Sequence, residues 1–135
     1  FYARFADNPL VVDKWFTLQA TSLRPNVLEE VEKLARHEAF TVSNPNRVRS
    51  LYGAMSGNPV AFHQESGAGY RMIADLILEL NLRNPQLAAR FVPSLGRWRR
   101  IEPGRSALMR AELERIAAAT TLSRDVAEQV EASLG

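Results

Sequence analysis

The sequence predicts an all-α protein: seven or eight short antiparallel helices stacked in pairs, an α-α superhelix of the HEAT/armadillo kind, with no sheet. Three observations lead there. Apolar residues recur at i, i+3, i+4 and i+7, and no period-2 alternation runs long enough for a strand. Asn-Pro occurs four times, at Asn8-Pro9, Asn44-Pro45, Asn58-Pro59 and Asn84-Pro85. Asparagine is a preferred N-cap, and proline at the first helical position gives up only an N–H that would be orphaned anyway. Connections between periodic segments are short, which makes consecutive helices antiparallel neighbours, and they are too many and too short for a four-helix bundle. No fixed sequence period marks a strict repeat protein.

The chain opens FYARFAD, with Phe1, Tyr2 and Phe5 spaced as the end of an amphipathic helix, which reads as a piece cut from a longer protein. After Pro9 the predicted stripe is Val11, Trp15 and Leu18, with Val12 and Phe16 beside it. Arg24-Pro25 opens a second helix carrying Val27, Leu28, Val31, Leu34 and Ala35 and ending near His37. After Pro45 the stripe is Val48, Leu51, Tyr52 and Met55, closed by Gly57. Residues 64–69 form a loop, and 70–82 is apolar nearly all round, the pattern of a helix buried between neighbours. From Pro85 the stripe is Leu87, Phe91 and Leu95, with Pro93 expected to kink or split it. Residues 105–119 carry Met109, Leu113, Ile116 and Ala117. A last helix starts at Ser123 with Val126, Ala127, Val130 and Leu134.

At 135 residues the chain is one domain's worth, with 46% apolar and 24% charged residues and no cysteine. That composition is ordinary for a globular protein, and the lack of cysteine fits a reducing, cytoplasmic compartment. No apolar run approaches a membrane span. Net charge is +2, yet the pI near 9.4 conceals a basic last third holding Arg97, Arg99, Arg100, Arg105, Arg110 and Arg115. Such a cluster suits an acidic partner, a nucleic acid, or water.

Residues 37–41, HEAFT, begin like the helical zinc motif H-E-x-x-H, whose two histidines sit one turn apart. Thr41 stands where the second histidine belongs, and the other histidine, His63, lies beyond two prolines. Two scattered histidines without cysteine cannot supply three zinc ligands. HEAFT therefore reads as a polar helix end, His63 as a buried or half-buried structural histidine, and GAG at 67–69 as a turn. Glu29/Glu30 and Glu112/Glu114 read as solvated helix faces. Placing residues at 100° intervals puts Gln86, Arg90 and Arg97 on one narrow stripe opposite Leu87, Phe91 and Leu95. An amide and guanidiniums on a shared face suit peptide carbonyls or carboxylates. Arg49 on the Pro45 helix is a further candidate. Solvated or salt-bridged side chains would give the same pattern.

The blocks NPLVVDKWF, HEAF, NPNRVRSL, NPVAFH, GYR, LNLRNPQLAAR and MRAELERI, in that order across the chain, resemble the C-terminal helical domain of bacterial aminopeptidase N. That family comprises zinc-dependent, gluzincin-type alanyl aminopeptidases. The resemblance implies that residues 1–135 are a single C-terminal helical domain of a multidomain peptidase, without catalytic or metal-binding residues of its own. It places the zinc, its ligands and the general-base glutamate in an upstream catalytic domain. It makes this domain the cap that docks on the catalytic domain and encloses a cavity above the zinc, admitting small peptides. By the same resemblance Arg49, Gln86 and Arg90 are substrate-binding, facing that cavity; Arg97 gains nothing from it. The competing reading is a helical scaffold whose arginine-rich face binds nucleic acid or an acidic protein, with Trp98 as the one base-stacking aromatic among the arginines.

Overall fold

The computed structural model describes residues 7–24 and 26–135, and among them every regular element is helical. The reading of Phe1, Tyr2 and Phe5 as a helix end falls outside those residues, as does Pro25. The chain separates into two compact units, the first ending at Phe62 and the second beginning at His63.

The first unit contains α1 (Pro9–Ala20), α2 (Val27–Ala35), α3 (Pro45–Val48), a π-helical turn (Arg49–Gly53), α4 (Ala54–Ser56) and α5 (Pro59–Phe62). The asparagine caps are in place: Asn8 Oδ1 accepts from the Val11 N–H and Asn44 Oδ1 from the Arg47 N–H at 3.1 Å. Asn58 serves two helices. Its Oδ1 accepts from the Val60 N–H at 3.1 Å, while its Nδ2 donates to the Ala20 and Ser22 carbonyls at the end of α1. The wide turn at 49–53 points the Ser50 carbonyl at α1, where Thr17 Oγ1 donates to it at 3.0 Å.

On α1 the core side is Val12, Phe16 and Ala20, not the Val11, Trp15 and Leu18 stripe read from periodicity. The helix is apolar on two faces, and packing chose the second. Leu10 and Leu18 remain 79% and 55% exposed, with Leu23 at 71% just beyond the helix. Val27, Leu28, Val31 and Leu34 of α2, Val48, Leu51 and Met55, and Ala61 and Phe62 of α5 are buried with Val12, Phe16 and Ala20. Arg47 is buried within this core. Its guanidinium pairs with Asp13 on α1, donates to the Ala39 carbonyl in the HEAFT segment, and lies 5.4 Å from the Phe16 ring centre.

The second unit contains α6 (Ala68–Arg83), α7 (Pro85–Gly96), a 3-10 turn (Trp98–Arg100), α8 (Pro103–Ala117) and α9 (Arg124–Leu134). Helix α6 starts at Ala68, two residues before the sequence suggests, because Gly67 takes the left-handed φ of +80° that turns the chain into it. Tyr70, Ile73, Ile77 and Leu80 of α6 are fully buried, together with Leu95, Met109, Leu113 and Ile116; Ala117 is exposed. Pro93 does not split α7: it sits on the exposed side, where losing one backbone bond is cheapest. Asn81 is buried and pins the loop before α9, its Nδ2 donating to the Thr121 carbonyl and its Oδ1 accepting from the Ser123 N–H, both at 2.7 Å. Ser123 then caps α9 through the Val126 N–H at 3.2 Å.

Candidate functional site

Helix α7 is positioned by its first residues. Asn84 breaks from α6 with a non-helical backbone (φ −147°, ψ 80°) and accepts from the Leu87 N–H at 3.1 Å, and Pro85 fills the first helical position. With the start set there, Leu87, Ala88, Phe91, Val92 and Leu95 fall inward and are buried. Gln86, Arg90, Pro93 and Arg97 consequently fall outward and are exposed. The Gln86 and Arg90 side chains have no hydrogen-bond or ion-pair partner among the described residues. Because Pro93 carries no N–H, the Ala89 carbonyl beside Arg90 lacks its usual donor four residues on. The outer face of α7 thus offers amide, guanidinium and a backbone acceptor together, a set that matches the N–H, carbonyl and carboxylate groups of an extended peptide.

Arg49 belongs to the first unit and lies at the start of the π-helical turn, where it is exposed and donates to Asn46 Oδ1 at 2.8 Å. Turns of this kind widen a helix locally and often sit at functional positions. Sequence reasoning passed over its neighbour Arg47, which is the buried member of the pair. The signal that separates them, Asp13 on α1, is 34 positions away.

The basic last third is mostly committed internally. Arg105 pairs with Glu102 and donates to the His63 carbonyl at 2.8 Å; Arg110 pairs with Glu114; Arg115 pairs with Glu112 and Asp75. Arg99 lies over Trp98 and donates to the Leu134 carbonyl. His63 is half-buried, with Nδ1 2.6 Å from the hydroxyl of the fully buried Tyr70. Burial first, and then the Arg105 and Arg97 charges, hold the His63 pKa below its ordinary value, and burial raises that of Tyr70. The pair is a neutral structural contact. His37 lies past the end of α2, its Nδ1 accepting from the Ala39 N–H at 3.0 Å and its ring edge-on to Trp15. Among the described residues no three His, Cys, Asp or Glu side chains gather to hold a metal. No helix among them is long and apolar enough to cross a membrane.

The family described as Domain of unknown function (DUF3458_C) ARM repeats matches residues 1–135. The chain is 48% identical over 132 residues to Aminopeptidase N of Escherichia coli strain K12, covering 97% of the chain and 15% of that protein. It is 46% identical over 136 residues to Aminopeptidase N of Caulobacter vibrioides, covering 100% of the chain and 16% of that protein. Among solved structures it is similar to the crystal structure of Legionella pneumophila aminopeptidase A in complex with aspartic acid. The TM-score is 0.95 at 38% identity, over 99% of the chain and 16% of that one. The chain therefore spans about 15–16% of the length of these relatives.

Proposed function

The chain belongs to the DUF3458_C family of ARM-repeat domains, and from that membership we propose that it is the substrate-gating cap of a zinc aminopeptidase. In this reading zinc is held by an upstream catalytic domain, where it supplies the chemistry that activates water. The present residues bind and orient the peptide and limit which substrates enter. The observation that carries the reading is the outer face of α7. Gln86 and Arg90 are held outward by a capped helix, bonded to nothing of their own, next to the acceptor that Pro93 leaves open. Arg90 would grip a carbonyl or terminal carboxylate of the peptide beyond the scissile bond and Gln86 would pair with its backbone; Arg49, at the π-helical turn of the first unit, is proposed as substrate-binding from the family resemblance alone. The exposed Leu10 and Leu18 of α1, with Leu23 just beyond its end, support a face of the first unit that docks on the catalytic domain, since exposed apolar surface marks contact sites.

Arg90→Ala in the whole enzyme tests the reading. A charge-assisted hydrogen bond to substrate is worth about 1.5–3 kcal/mol, less in a partly solvated cavity. The expected result is a drop of about tenfold or less in kcat/KM for tri- and tetrapeptides, with a single-residue chromogenic amide nearly unaffected. Equal losses on both substrates would mean that Arg90 acts through folding or docking; no loss on either would remove it from the site.

A further inference from the structure

We propose that the second unit binds a small multivalent oxyanion, of the phosphate or polycarboxylate class, in the groove where the end of α7 and the Trp98–Arg100 turn meet α9. The groove has a volume of ≈ 460 Å³, and its walls include Gly96, Arg97, Arg99, Arg100, Gln129 and Ser133 with no acidic residue among them. A space of this size takes a small molecule. The inference rests on the groove and is independent of the peptidase reading.

Arg105, Arg110, Arg115 and Arg124 each hold a carboxylate within ion-pair distance. Arg97, Arg99 and Arg100 hold none among the described residues, although they stand within four positions of one another. Arg71, Arg83 and Arg90 elsewhere in the unit also lack an ion-pair partner among the described residues, so what marks the groove is that three such arginines stand together there. Arg99 is already fixed in place. Its guanidinium lies 4.3 Å from the Trp98 ring centre and donates to the Leu134 and Ser133 carbonyls at 2.9 and 3.4 Å, while Trp98 Nε1 donates to Ser133 at 3.0 Å. Those carbonyls are the negative end of α9, and they offset part of one positive charge. Arg97 and Arg100 stay exposed and uncompensated. At Gly96 the end of α7 lies tight against α9: a Cβ there would come within 2.7 Å of Ser133 Oγ, so backbone and hydroxyl meet at the base of the groove. One guanidinium oriented in advance and two exposed ones beside Gln129 and Ser133 match an oxyanion of two or more charges, which planar forks grip in pairs.

The test is a titration of the 15N-labelled chain with inorganic pyrophosphate, and separately with citrate, at low ionic strength, followed by amide shifts. Saturable shifts at Gly96, Arg97, Gln129 and Ser133 are expected, weakened by added salt. The Arg97→Gln/Arg100→Gln variant should bind about tenfold more weakly, as two exposed charge contacts are lost. Arg110→Gln, whose guanidinium is paired with Glu114, should bind as the parent does. If the double variant loses its dispersed spectrum, Arg100→Gln alone carries the test and should show a smaller weakening. Tighter binding of pyrophosphate or of citrate names the ligand as a phosphate or a carboxylate compound. The proposal is overturned by shifts that never saturate or by unchanged affinity in the variants. Tighter binding of a single-stranded oligonucleotide with shifts spread to Arg110 would overturn it equally.

Discussion

Removing Arg47 should damage the first unit more than any other single arginine substitution there. The side chain of Arg47 is 9% exposed and that of its partner Asp13 is 17% exposed, so water replaces little of what the guanidinium provides. Arg47→Ala leaves the Asp13 carboxylate without its counter-charge, the Ala39 carbonyl without a donor, and the Phe16 face without a cation. Breaking a buried pair by removing one partner costs about 3–5 kcal/mol; the residual exposure of Asp13 moves the expectation to about 3 kcal/mol. With a urea m-value of about 2 kcal/mol/M, the midpoint should fall by about 1.5 M. Urea titration followed by Trp15 emission and by helical circular dichroism reads this directly. The cycle of Arg47→Met, Asp13→Leu and the double variant isolates the pair. Each single change should cost more than the double, because the double leaves no unpaired charge, and the coupling should be about 2 kcal/mol. A coupling below about 0.5 kcal/mol, the range of exposed ion pairs, would refute the reasoning.

Asn81→Ala removes a buried donor and acceptor that hold the Thr121 carbonyl and the Ser123 N–H, and should cost about 2–3 kcal/mol by chemical denaturation. Hydrogen exchange should show the loss concentrated at 119–124. For His63 the folded pKa lies below the ordinary 6.5, so the neutral form is favoured on folding. Its contribution is fully present above pH 6.5 and is lost as pH falls through the lowered value. Stability followed from pH 7.5 to 5 should decline with a component that disappears in His63→Gln; an unchanged profile in that variant would remove His63 as its source.

Much of this fold was legible because its boundaries are written locally. Asn8, Asn44, Asn58 and Asn84 each start a helix, and the chemistry of each start is complete within three residues. The inward face of α7 was legible for a related reason: its apolar residues occupy one side and its polar residues the other. Helix α1 was not, because Val11–Trp15–Leu18 and Val12–Phe16–Ala20 are both apolar rows, and the choice between them depends on α2 and on Arg47. Arg47 and Arg49 are likewise equivalent in local sequence. Only the distant carboxylate of Asp13 makes one a core residue and leaves the other at the surface. The π-helical turn has no local signature, and its sequence predicts ordinary helix.

The repeated Asn-Pro starts have an effect on how such a chain can change over time. A helix whose first residue is set by its own cap resets its rotational phase at that point, whatever the preceding connection did. Adding or deleting a residue in the stretch before Asn44 would alter the length of a loop, yet Val48 and Leu51 would still face the same way relative to Pro45. The same holds at Asn84, where the outward direction of Gln86 and Arg90 is counted from the cap and not from α6. Length variation is thereby confined to the connections. A surface carried by α7 can persist while the loops around it drift, and errors of register are absorbed one helix at a time.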